Sequence, residues 1–138
     1  MSQQKIRQAL EKRLVEWAAI NNVPVVFQNT PSDNASAKYI QPKLIPAKNS
    51  NPSFGVQHIR YSGTLRILVK VQSLGKGLGE VEALAENLAA YFPRGLILEQ
   101  DGQSLMIEQT PTIRSDFIDG MYNIVPVDIN YRSDNITI

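Results

Sequence analysis

One histidine, no cysteine and thirteen carboxylates bound the chemistry open to this chain. Without cysteine there is no disulfide framework, no thiolate metal site and no thiol nucleophile. His58 is the sole imidazole. As a general base it would need an orienting partner and a nucleophile in reach, and the sequence nominates neither. As a metal ligand it would stand alone among carboxylates, an unusual zinc set. Asp116 and Asp119, with Arg114 close by, have the composition of a carboxylate pair for acid–base work. They fall in a polar stretch with no histidine beside them, and a solvated turn is the simpler reading. Gly75-Lys76-Gly77-Leu78-Gly79 follows a strand pattern and opens a helix pattern, where free backbone N–H groups can hold an anion. The spacing matches neither the Gly-x-x-x-x-Gly-Lys-Ser/Thr loop nor Gly-x-Gly-x-x-Gly, so a glycine-bearing connection is expected instead. The expectation is a protein with no catalytic residue, no cofactor and no metal.

Charge and hydropathy narrow the partners. The chain has 14 basic and 13 acidic residues, a net charge of +1, and no basic run longer than Lys12-Arg13. That balance argues against sequence-specific nucleic-acid binding. No apolar run approaches the roughly 20 residues of a membrane span, and Met1-Ser2-Gln3-Gln4-Lys5 lacks a signal-peptide pattern. No membrane partner and a cytoplasmic origin are expected. A hydrophobic share of 43% in 138 residues suits one folded domain, 1–138, with a core of its own.

The elements follow from periodicity. Ser2 is the expected N-cap of a helix over residues 3–20. Ile6, Leu10, Leu14 and Trp17 form its apolar stripe, Trp17 reads as a core anchor, and Asn21-Asn22 and Pro24 end it. Val25-Val26-Phe27 reads as a short strand. Tyr39 to Ile45 reads as another, placed at an edge or a bulge by Pro42. From Ile59 to Gln72, apolar and polar residues alternate over about 14 residues, well beyond the usual five or six, so this strand should extend past the body of the domain or bend around it. Gly63 within it suggests a bulge or bend. A second helix spans 80–92, with Val81, Leu84, Ala85, Leu88 and Phe92 inward. The Asp101-Gly102 dipeptide predicts a hairpin joining 96–99 to 105–108. A last strand spans 122–132, where Pro126 again suggests an edge or a bulge. Loops are expected at about 29–38, 46–58 and 110–120, and a loose tail at 133–138. The order α-β-β-β-α-β-β-β predicts an α+β fold, a mostly antiparallel or mixed sheet with two helices packed on one side.

Several of these segments, taken in order, resemble one family. They are Ile6-Arg7-Gln8-Ala9-Leu10-Glu11 with Leu14 and Trp17-Ala18, then Pro24-Val25-Val26-Phe27-Gln28-Asn29. Next come Tyr39-Ile40, Leu44-Ile45-Pro46-Ala47 and Arg60-Tyr61-Ser62-Gly63. After the Gly75-x-Gly77 turn and its Glu-rich helix come Phe92-Pro93-Arg94-Gly95 and Pro126-Val127-Asp128-Ile129-Asn130-Tyr131-Arg132. Over most of its length the chain resembles the tail terminator or tail completion proteins of bacteriophages with long non-contractile tails, and is similar in role to the tail terminator of phage lambda. The resemblance implies no catalytic residues. It implies a ring of copies, expected to be six, on the head-proximal end of the tail tube in the virion, assembled in the host cytoplasm. That ring would stop polymerisation of the tail-tube protein and offer a surface to the head–tail connector or neck protein. A ring needs two unlike surfaces per subunit. Long loops, the proline-marked edge strands and the overlong strand are the expected places. The loops 29–38 and 46–58 are expected to contact a neighbouring subunit or the tube, with Asn29, Tyr39, Phe54, His58, Arg60 and Arg66 as subunit or tube contact residues. Phe54 is the aromatic residue isolated in a polar loop, where interface anchors are enriched. A different phage morphogenesis role, as head–tail connector or tail-tube subunit, is the alternative. A small-ligand module or enzyme is a more distant one.

Overall fold

The computed structural model describes residues 3–27, 37–52, 57–72 and 78–137. Helix α1 (Gln3–Asn21) is followed by strands β1 (Lys38–Pro46) and β2 (Gln57–Gln72), then helix α2 (Gly79–Ala90). Strands β3 (Ile97–Gln100), β4 (Gln103–Ile107), β5 (Thr112–Ile113), β6 (Phe117–Asp119) and β7 (Tyr122–Thr137) complete the chain. All strand pairings are antiparallel, in the order β1-β2-β7-β4-β3, with β5 and β6 also paired to β7. This is the expected α+β fold.

Alternation along β2 and β7 sets the layers. Leu65, Ile67, Val69 and Val71 lie opposite Ile129, Val127, Val125 and Asn123, so β2 and β7 turn the same apolar face inward. That face packs with Ile6, Leu10, Leu14 and Trp17 of α1 and Val81, Ala85 and Leu88 of α2 in one core. Both helices therefore cover one face, and the other face carries the even-numbered residues of β2 and β7. Trp17 is fully buried, as its stripe position implied, and its indole N–H reaches Asn87 Oδ1 at 3.4 Å. Helix α1 ends where Asn22 takes φ 55° and the Val23 N–H returns to the Ala18 carbonyl, a Schellman-type stop. Its expected cap, Ser2, lies outside the described residues, as do Gly75, Lys76 and Gly77. Asp101 and Gly102 both have positive φ (51° and 82°), which matches the tight hairpin turn predicted for them.

Five local expectations change. Val25-Val26-Phe27 is no strand: it makes one parallel bridge, Val25 to Ile40, in which the Val26 N–H donates to the Ile40 carbonyl and the Ile40 N–H to the Pro24 carbonyl. Pro42 sits on the edge strand as expected. It shares the outward parity of Ile40, so its missing N–H faces away from β2 and costs no ladder bond. Pro126, by contrast, stands on the central strand in unbroken register with Leu68. Its carbonyl accepts from the Arg114 N–H, so its nitrogen also points to that side, where residues 114–116 interrupt the neighbouring strand between β5 and β6. A proline is tolerated there because no acceptor waits for the absent N–H. Gly63 is not a bulge either, since register runs through it to both neighbours. A Cβ at Gly63 would lie 2.6 Å from both the Ile45 carbonyl oxygen and the Tyr131 hydroxyl, so close approach excludes any side chain. Finally, the 110–120 loop contains β5 and β6, and residues 133–137 of the expected loose tail continue β7 against β2.

Candidate functional site

The helix-free face of the sheet is built from cross-strand partners. Residues directly opposite on antiparallel strands share a face. Four such pairs on β2 and β7 follow one another: Arg66 with Asp128, Thr64 with Asn130, Ser62 with Arg132, Arg60 with Asp134. They make a polar ladder along two 16-residue strands.

At one rung the Asp128 carboxylate, only 4% exposed, accepts from Arg66 Nε at 2.8 Å and from Arg66 Nη2 at 3.1 Å. Its second oxygen also accepts from Arg114 Nε, which fastens the β5–β6 segment to the sheet. The hydrogen bond from Arg66 outweighs the cost of burial and holds the Asp128 carboxyl below its usual range. Reciprocally, the carboxylate pushes Arg66 up. At the next rung the Thr64 hydroxyl donates to Asn130 Oδ1 at 2.8 Å, and the Asn130 amide donates to Gln109 at 2.9 Å.

Near the end of the two strands Asp134 gathers three cationic or titratable partners. Its Oδ1 lies 2.8 Å from both Arg60 Nε and His58 Nε2, and its Oδ2 lies 3.4 Å from Arg132 Nε. Arg132 reaches on to Glu108 at 3.8 Å. Burial alone would raise the Asp134 carboxyl, but the hydrogen bonds from Arg60 and His58 prevail and leave it below the usual range. Beside this cluster a shallow cleft of about 210 Å³ is lined by Ile97, Met106, Arg132 and Asp134 among others.

The opposite end of the face is apolar. Tyr39 and Tyr122 meet edge to face at 5.3 Å, with Ile124 buried beside them and Lys70 5.3 Å over the Tyr39 ring. A cleft of about 440 Å³ opens here between these side chains and the β6–β7 turn at Gly120-Met121.

Tyr39, His58, Arg60 and Arg66 thus share one face. His58 and Arg60 converge on Asp134, Arg66 has a separate carboxylate, and Tyr39 stands apart in the aromatic cluster. Tyr39 and His58 are nearly buried, so Arg60 and Arg66 offer more surface to a partner. Asn29 and Phe54 lie outside the described residues. Asp128, Asp134 and Arg132 were not among the expected site residues, and Arg114, read beside Asp116 and Asp119, pairs instead with Asp128. The alternating polar positions of residues 128–134 carried the signal for Asp128, Asp134 and Arg132, but register was needed to set them opposite Arg66, Arg60 and Ser62 respectively. Asp116 and Asp119 are exposed, with no ion pair to a described residue. No group of three or more metal-ligating side chains occurs among the described residues, and no described helix is long and apolar enough to cross a membrane. What this arrangement offers is an ordered polar sheet face, apolar at one end.

Comparison with known proteins gives this surface its context. Residues 5–131 match the phage tail terminator protein family. No curated protein matches the chain. A solved structure with 28% sequence identity superposes with a TM-score of 0.78, covering 96% of both chains. A chain from the virion of a native gene transfer agent particle superposes with a TM-score of 0.70 at 13% identity, again over 96% of both chains, and so shares the fold.

Proposed function

The chain belongs to the phage tail terminator protein family, and on that premise we propose that it ends tail assembly as a non-catalytic structural component of the virion. Copies of it close into a ring, six-fold by the family resemblance, on the head-proximal end of the tail tube. The ring blocks addition of further tube protein and presents the surface that the head–tail connector or neck protein joins.

The observation that carries this reading is the family match over 5–131. The surface is in keeping with it. Asp128 and Asp134 are already satisfied within the sheet, so the helix-free face keeps its shape without a ligand. Such a preorganised face loses little conformational entropy when a protein partner docks. Tyr39, His58, Arg60 and Arg66 belong to this face, which is turned toward the tube or the neck. Asn29 and Phe54, on the loops 29–38 and 46–58, complete the contacts.

Tube growth in vitro tests the reading. Purified chain added to polymerising tube protein of the same phage should shorten the tubes in proportion to dose. By electron microscopy it should appear as a disc at one tube end. Tubes that reach the same length with and without it would refute the proposal.

A further inference from the structure

Net charge of +1 conceals a polarised molecule. Strand β1 and the segment after it, residues 37–52, contain Lys38, Lys43 and Lys48 and no acid. Residues 97–119, which hold β3 to β6, contain Glu99, Asp101, Glu108, Asp116 and Asp119 against Arg114 alone. These two stretches lie on opposite sides of the sheet. Strand β7 has β2 and then β1 on one side, and β4, β3, β5 and β6 on the other. The lysines form no ion pair with any described residue, and neither do Glu99, Asp101, Asp116 and Asp119. Arg114, the one base on the acidic side, is already bound to Asp128.

Apolar surface follows the same division. Of the eight large hydrophobic side chains exposed among the described residues, five lie on the acidic side: Ile97, Ile113, Phe117, Ile118 and Met121. Phe117 pairs with Ile124 and Ile118 with Asn123, so successive β6 side chains point to opposite faces of the sheet. Strand β6 therefore shows bare hydrocarbon on both faces, which a flat partner surface would cover only in part. The basic side offers Ile45 among its lysines. Pro42 removes an outward N–H there, so continuous strand addition at that edge is blocked and side chains must make the contact.

We propose that these are the two halves of one heterologous contact. The acidic, apolar β3–β6 side of one copy docks against the lysine-bearing β1 side of the next. The occupant of each side is a second copy of this chain, because the charges are complementary and a ring requires two unlike patches on each subunit. Apolar burial by Phe117 and Ile118 supplies affinity, and the charges set orientation and exclude like-to-like pairing. A stable contact covers about 800 Å² per partner, roughly a tenth of this chain's 7928 Å² surface. The inference rests on the ring reading above and specifies which surfaces close the ring.

A charge swap tests it on the full chain, by sedimentation in solution and by counting capped ends on isolated tail tubes. Lys43→Glu with Lys48→Glu should weaken self-association at least about a hundredfold, since like charges then face each other. Asp116→Lys with Asp119→Lys should do the same. All four substitutions in one chain restore opposite charges across the contact and should restore assembly, as should mixing the two double variants. Unchanged thermal melting of each variant shows that the monomer still folds. Single-side reversals that assemble like the wild type, or a folded four-fold variant that stays dissociated, overturn the contact while leaving the ring reading standing. A wild-type chain that forms no closed assembly either in solution or on tubes overturns the ring itself, and this contact with it.

Discussion

Replacing Asp128 with Asn should destabilise the fold by an amount that depends on pH. The carboxylate is 4% exposed and accepts three hydrogen bonds from two guanidinium groups. A hydrogen bond to a charged group is worth about 1.5–3 kcal/mol. The three share one acceptor group, and Arg66 and Arg114 remain 40% and 55% exposed, so water screens them. Asn also keeps one acceptor oxygen. The expected loss is therefore about 2 kcal/mol near neutral pH, not the sum. For a domain of this size that lowers Tm by about 8 °C. The sign with pH follows from the folded carboxyl lying below its unfolded value. The Asp128 contribution is complete above the unfolded carboxyl pKa of about 3.9 and fades as pH falls through the lower folded value. Calorimetry of wild type and Asp128→Asn at one protein concentration, from pH 7 down to pH 3, should show two curves that converge below about pH 4. Taking the difference between them removes the parallel titration of Asp134. A gap that stays constant to pH 3, or one below about 0.5 kcal/mol at pH 7, would refute the buried-carboxylate argument.

Three further outcomes are expected. Gly63→Ala forces a methyl group within 2.6 Å of a backbone oxygen and should cost about 2–3 kcal/mol by chemical denaturation, whereas Gly79→Ala meets nothing within 4 Å and should not destabilise. Arg13 donates twice to the Tyr91 carbonyl and lies 3.9 Å over its ring, so Arg13→Lys, which cannot make both contacts, should cost about 1–2 kcal/mol in the same assay. Burial raises the Tyr131 phenol to about 12, so in ultraviolet titration Tyr131→Phe should remove an ionisation that occurs only at strongly alkaline pH, well above the ordinary phenol value of about 10.

Periodicity carried much of this architecture because it records burial residue by residue. The stripe of Ile6, Leu10, Leu14 and Trp17 and the alternation from Leu65 to Val71 each name a buried face without reference to any other segment. Asp101-Gly102 likewise fixes a local turn by its own backbone preferences. What the chain alone could not reveal depends on distant partners. Pro126 looked like an edge residue because a missing N–H usually is one. Only the interruption of the neighbouring strand at 114–116 makes it harmless in the centre. Gly63 looked like a bulge because a glycine interrupts the alternation, whereas its real reason is that a Cβ there would collide with Ile45 and Tyr131, which lie 18 and 68 residues away in the chain. The pairing of β2 along the whole of β7 set Asp128 and Asp134 opposite Arg66 and Arg60, and alternation gives a face but not a register. The polarity of the two sheet edges is present in the sequence as a lysine-only and an acid-rich stretch. It acquires meaning only once strand order puts them on opposite sides.

Removing this gene from its phage and imaging the tails in the lysate is the most direct test of the central claim. Tails of variable and excessive length, detached from filled heads, are expected, with normal length restored when the gene is supplied in trans. Normal-length tails joined to heads in the absence of the gene would contradict that claim.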